Sequence, residues 1–236
     1  MSQIPQFADP TIRVAAAIEG VREVTLAGMA DLAYWRERLR PRGLRPFDDA
    51  GRARLLISAT SARWKGLRFC ELSFSIAVGD GGDESRHGGF FLAHAYNSRR
   101  ALAFAERAFF KTPYDHGRLR VEIGSPARVE LLDAGVPAFS AAMAGSRPAS
   151  WSGGDTWEGV IYLPSPGKAG APGPRFYARL SGDTQVYPFA PGLDTLILDP
   201  AARPAIFGQL RESDFAVSEW RVRASAAHLK SQTYSK

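Results

Sequence analysis

A period of two runs through this chain almost from end to end and leaves little choice of architecture. ARLLISATSARW, LRFCELSFSIAV, FFLAHAY, VPAFSAAMAG, TWEGVIYLPS, RFYARL, TQVYPF, DTLILDP and SEWRVRASAAH read as strands, most of them alternating apolar and polar residues. GRLRVEIGSPARVELLDAG reads as a hairpin turning at Gly124-Ser125-Pro126, and Lys65-Gly66 as a second turn. Helical spacing occurs in only three places. Leu26 to Gly43 carries Leu32, Trp35 and Leu39. SRRALAFAERAFF carries Leu102, Ala105 and Phe109 behind a capping Ser98, and PAIFGQLRESD is short. No repeat and no βαβ alternation appears, so the sheet is expected to be mainly antiparallel and strongly curved. The expectation is a mainly β, α+β single domain over residues 1–236. It is barrel-like or cone-like with two or three outer helices, a helical lead-in over about 1–44 and a frayed basic tail over about 226–236.

Composition removes several function classes. The net charge of +6 is carried mostly by arginines spread along the chain, which speaks against a nucleic-acid arm. The single cysteine, Cys70, allows no internal disulfide, and four scattered histidines lack metal-site spacing. Gly79 to Gly89 has turn composition and does not match a phosphate-binding loop, so it reads as a mobile loop or lid, and neither cofactor nor metal is expected. No apolar run reaches the roughly 18 residues of a membrane span, and no signal segment opens the chain. The default compartment is the cytoplasm, and the expected partner is a small molecule, with room for a homo-oligomer.

Chemistry concentrates in FFKTPYDHGR (Phe109 to Arg118), where groups able to move protons surround Pro113. Tyr114 can donate a proton to a developing oxyanion, and Asp115 or His116 can act as a base if burial tunes it. On LRFCELSFSIAV, alternation puts Phe69, Glu71, Ser73 and Ser75 on one face and Cys70, Leu72, Phe74, Ile76 and Val78 on the other. Glu71 is then a lone carboxylate among aromatic and small polar groups. His94 and Tyr96 share a face and can line the same cavity with Phe69. Arg118 and Arg120 can clamp a carboxylate, but if they face solvent with Glu122 the clamp fails and the substrate need carry no carboxylate.

Plainer readings stand beside these. Tyr114 can pack its ring in the barrel, Asp115-His116-Gly117 is ordinary turn chemistry, and Glu71 can pair with Arg118 or Arg120. His94 can be a core histidine and His87 a solvated loop residue. His228 and Lys230 can belong to the frayed tail, and Trp151 and Trp157 can flank a Ser-Gly-Gly-Asp turn.

The order of ARWKGLRFCELSFSIAV, FFLAHAYNSRRALAFAERAFFKTPY and a hairpin-rich second half containing RFYARLSG resembles the acetoacetate decarboxylase-like superfamily over about residues 45 to 225. The resemblance implies that family's fold, a small carbonyl substrate and an acidic residue at Glu71. The family's decarboxylases form a Schiff base through the first lysine after a proline. Here Tyr114 and Asp115 follow Pro113, so imine chemistry does not carry over to them, and Lys111 falls at the helix end. The expected function is acid–base chemistry without a covalent intermediate on a small carbonyl or polyketide-like compound, of lyase, isomerase or cyclase type. The alternative is a non-catalytic barrel that binds an apolar ligand.

Overall fold

Two-sided strands need two partners for their faces, and this chain provides them by closing one sheet on itself and laying a second over its outside. The computed structural model describes residues 6–80, 83–164, 173–199 and 204–234. In chain order the elements are β1 (Val14–Asp31), α1 (Leu32–Leu39), β2 (Asp48–Asp49), β3 (Arg52–Trp64), β4 (Leu67–Asp80) and β5 (Asp83–Asn97). Helix α2 (Arg100–Ala105) follows and continues as a π-helical turn over Glu106–Phe110. Then come β6 (Tyr114–His116), β7 (Arg118–Glu122), β8 (Arg128–Asp133), β9 (Val136–Ala142), β10 (Trp151–Tyr162), β11 (Arg175–Pro188), β12 (Thr195–Leu198), α3 (Ala205–Glu212) and β13 (Ala216–Ser231).

Strands β1, β13, β11, β10, β5, β4 and β3 pair in that order, and β3 pairs back onto β1, so the sheet closes into a ring. Ladders among the described strands are antiparallel except β10 with β5 and β5 with β6. The small antiparallel sheet β12-β9-β8-β7 covers one outer flank. Between the two sheets lies the main core, where Leu26, Ile57, Leu72, Phe74 and Ile76 meet Val129, Leu131, Phe139 and Phe207. The other face of the ring is left to line a cavity. No helix among the described residues is long and apolar enough to cross a membrane.

The mainly β class, the single domain and the curved sheet are as expected, but several local readings need correcting. The helical lead-in is mostly β1, and the helix spans only Leu32–Leu39. Leu26, Met29, Leu32 and Trp35 mimic a helical stripe, yet Asp31 accepts the Tyr34 N–H at 2.5 Å and caps the helix there. Ser98 is not a cap either, because its hydroxyl accepts the Cys70 N–H at 2.7 Å. Of Gly79 to Gly89, Gly81 and Gly82 lie outside the described residues, and the rest is no free lid, since β4 and β5 stay paired through Gly79↔His87 and Asp80↔Asp83. A side chain at Gly88 would meet the Asp80 backbone at 2.6 Å, so glycine permits a strand crossing that its composition conceals. Ser152 to Asp155 lies inside β10, and the supposed tail is strand as far as Ser231.

Asp194 anchors the ring to its flank. Its side chain, with no exposure, accepts from Arg147, Trp220 Nε1 and the Ala144 and Ala190 N–H groups. Burial pushes its pKa up, but these donors outweigh burial and bring it to about 2. Because the folded value lies below the usual 3.8, the stabilisation is complete above that pH and is lost as pH falls through about 2. Asp194→Ala is expected to lower stability by about 3 kcal/mol in urea unfolding at pH 7 and to flatten the acid limb. A change below about 0.5 kcal/mol would deny the anchor its role.

Candidate functional site

The inner face of the ring bounds a cavity of about 580 Å³. β4 contributes Phe69, Glu71, Ser73 and Ser75, the very face that alternation separates from the outward Leu72, Phe74, Ile76 and Val78. Leu102, Ala105, Glu106 and Phe110, from α2 and its π turn, also line the cavity. An α-helix would bury Phe109, the expected stripe residue. The π turn inserts one residue, so Phe110 faces inward and Phe109 is 74% exposed.

Glu71, half-buried on the cavity wall, is the centre of the polar cluster in this cavity. Asn97 Nδ2 donates to its Oε1 at 3.0 Å, and the Tyr114 hydroxyl also bonds to it. Burial, reinforced by the charge of Glu106, raises its pKa to about 7, while Lys230, Asn97 and Tyr114 pull in the opposite direction. Burial and the adjacent Glu71 push the Tyr114 phenol well above its ordinary value, so it is a neutral donor.

Facing them is Lys230, only 7% exposed, with Nζ 2.5 Å from Glu106 Oε2. Its ammonium lies 4.2 Å from the Phe110 ring centre and 4.6 Å from that of Phe176. Thr112 Oγ1 donates to the same Glu106 oxygen at 2.8 Å. His228 shares the wall, and burial, with the Lys230 charge, lowers its pKa to about 4, leaving a neutral imidazole at pH 7. Farther along, Arg223 bridges Glu23 at 2.9 Å and Asp155 at 2.5 Å.

The structure therefore brings together Phe69, Glu71 and Tyr114 of the residues singled out from sequence. The rest lie elsewhere. Asp115, His116 and His94 border a cleft on the outer side of the ring, with His94 Nε2 3.5 Å from Asp115 Oδ2 and Arg107 on Asp115 at 2.9 Å. Tyr96 is fully buried in the core between the sheets. Arg118 is exposed, and Arg120, also exposed, is held by Glu122 at 2.7 Å, so the carboxylate clamp fails. Lys111 sits exposed at the helix end with φ 60°.

Bulges explain both the misplacements and the omissions. Phe74 pairs with His94 but Ser75 pairs with Leu92, so Ala93 is an extra residue that turns His94 and Tyr96 outward and Asn97 inward. On β13 the inward residues change from Arg221 and Arg223 to His228 and Lys230, and on β1 from Ala16 and Ile18 to Glu23 and Thr25. Glu106 was within reach of sequence, since it lies four residues after Leu102 on one helical face. Among the described residues no group of three or more histidine, cysteine, aspartate or glutamate side chains could hold a metal ion.

No protein-family model and no curated protein matches the chain. Solved structures do. The chain is similar to acetoacetate decarboxylase from Legionella pneumophila, with TM-score 0.63, 13% identity, and 99% of this chain and 92% of that one covered. It is similar to the enduracididine biosynthesis enzyme MppR complexed with pyruvate, with TM-score 0.60, 12% identity, and 97% and 93% covered. An acetoacetate decarboxylase-like enzyme from Sphingomonas wittichii RW1 gives TM-score 0.56, 14% identity, and 98% and 97% covered. Over nearly its whole length, then, this chain has the acetoacetate decarboxylase-like fold.

Proposed function

We propose that the protein is an enzyme that moves a proton on a carbonyl compound held in the ring cavity, using its own side chains and no covalent intermediate. The observation that carries this reading is Glu71, a carboxylate poised at about pH 7 inside a cavity and bonded to Asn97 and Tyr114. A general acid–base works best when its pKa lies near the working pH. Glu71 takes a proton from the carbon next to the carbonyl, the C–H pair moves into the enolate, and the carbonyl oxygen gathers charge beside the Lys230 ammonium. Return of the proton to the same or another carbon gives exchange or isomerisation. Return with loss of a neighbouring hydroxyl, as water, gives dehydration. The acetoacetate decarboxylase and MppR likenesses support a carbonyl substrate.

The test is deuterium exchange next to the carbonyl of a ketone, followed by proton NMR. Exchange is expected to rise with pH through about 7 as Glu71 becomes the base. Tyr114→Phe removes a hydrogen bond that lowers the Glu71 pKa, so the rise should move to higher pH. Exchange at pH 6.5 should then fall as less of Glu71 is ionised there. An unmoved midpoint would detach Tyr114 from the proton carrier.

Borohydride with a ketone is expected to leave Lys111 unmodified, since it lies exposed outside the cavity. An adduct on Lys230 would replace acid–base chemistry with imine chemistry. The aromatic walls favour a second reading, a barrel that only stores an apolar ligand. Binding without any exchange would select it.

A further inference from the structure

Every cation on the cavity wall already holds a carboxylate. Arg54 is on Asp49 at 2.5 Å, Arg221 on Glu219 at 2.7 Å, Arg223 on Glu23 and Asp155, and Lys230 on Glu106. The remaining basic side chains that line it, His87 and His228, have their pKa lowered by burial. These four cations are held by five carboxylates, Asp49, Glu219, Glu23, Asp155 and Glu106, and Glu71, with no ion-pair partner among the described residues, is a sixth. A ligand carboxylate would be a seventh. It would add a charge to a wall whose cations are each already engaged, whereas an enolate only takes over the charge that Glu71 gives up on taking the proton, and an unpaired charge held away from water is costly.

Displacing a resident carboxylate does not help the ligand. Glu106 is tied to the π turn and to Thr112, so a keto acid that takes Lys230 leaves Glu106 enclosed and unpaired in its place. The opposite is true for an apolar body. Trp64, Phe69, Phe90, Trp157 and Phe176 line the wall, with Phe90 and Trp157 edge to face at 5.2 Å.

We infer that the cavity takes an uncharged ketone or aldehyde with a bulky apolar or aromatic body and turns keto acids away. The inference rests on the carbonyl reading above and narrows its substrate class. It also narrows the reaction. A substrate without a carboxylate has no carbon dioxide to lose, so proton transfer, isomerisation or dehydration remains and decarboxylation does not.

The test uses a matched pair, 4-phenylbutan-2-one and 2-oxo-4-phenylbutanoate, which differ only in a methyl group against a carboxylate. Binding to the full chain at pH 8 is read by calorimetry and tryptophan quenching, and exchange is read separately by NMR. The ketone is expected to bind at least about tenfold tighter, a difference of roughly 1.4 kcal/mol. Equal or tighter binding of the keto acid overturns the inference, and so does failure of both probes to bind at millimolar concentration. Ketone preference without exchange leaves this inference standing and removes the proposed catalysis. Glu106→Gln releases Lys230, so keto-acid affinity relative to ketone affinity should rise by about tenfold. If that variant does not fold, Asp49→Asn releases Arg54 at the cavity wall and makes the same comparison. An unchanged keto-acid affinity in the folded variant overturns the charge argument.

Discussion

Replacing Glu71 by glutamine is expected to lower exchange by about 10²–10⁴-fold and, at pH 8, to make the protein more stable. The two effects have one cause. Glu71 titrates near 7 in the folded chain against an ordinary 4.5, so the folded state holds a proton that the unfolded chain has already released. Stability therefore falls as pH rises from about 4.5 to about 7 and stays low above that. The shift is worth about 3 kcal/mol at about 1.4 kcal/mol per unit. Glutamine keeps the shape without the charge, so the unfolding temperature should rise by several degrees at pH 8 and change little at pH 4.5. Unfolding scans at the two pH values check this. A lower temperature at both would make Glu71 a structural residue and withdraw it from the chemistry.

Lys230→Met is expected to abolish exchange and to cost about 3–5 kcal/mol in urea unfolding, because it leaves the Glu106 carboxylate enclosed without its ammonium. The thioether fills much the same space between Phe110 and Phe176, so the loss is one of charge more than of packing. Adding Glu106→Gln removes the stranded charge and should restore most of the stability. It should not restore exchange, because nothing then stands where the carbonyl oxygen gathers charge. Recovery of both together would mean that Lys230 only balances Glu106. A double-mutant cycle read in both unfolding and exchange separates the two roles.

Much of this was legible from residues alone, and the boundary has a physical origin. β4 has no bulge between Phe69 and Ser75, so simple alternation assigned its two faces and put Glu71 inside. Where one extra residue enters a strand, alternation reverses downstream. Ala93 does this to His94 and Tyr96, and a shift on β13 between Arg223 and His228 does it to Lys230. Continued alternation from Arg223 would have sent Lys230 outward, where a basic tail looked natural. A π turn is the helical counterpart, and it exchanged Phe109 for Phe110. In each case a single inserted residue, invisible to a fixed period, decided which side chains meet. The ion-pair partners are likewise long-range, with Glu106 and Lys230 joined only by the closed ring.

Ring closure also governs when the site comes into being. Ala16 lies opposite Lys230 across the β1–β13 ladder, so the two strands that seal the cavity come from opposite ends of the described chain. Contacts between such distant segments form slowly, because the loop entropy is lost before the contact repays it. Without β13 packed against it, Glu71 faces water, where a carboxylate ionises at its ordinary value and holds no proton near neutrality. A chain lacking β13 would keep Glu71 and Tyr114 but not Arg223, His228 or Lys230, so the wall needed by the proposed chemistry exists only once the ring is closed.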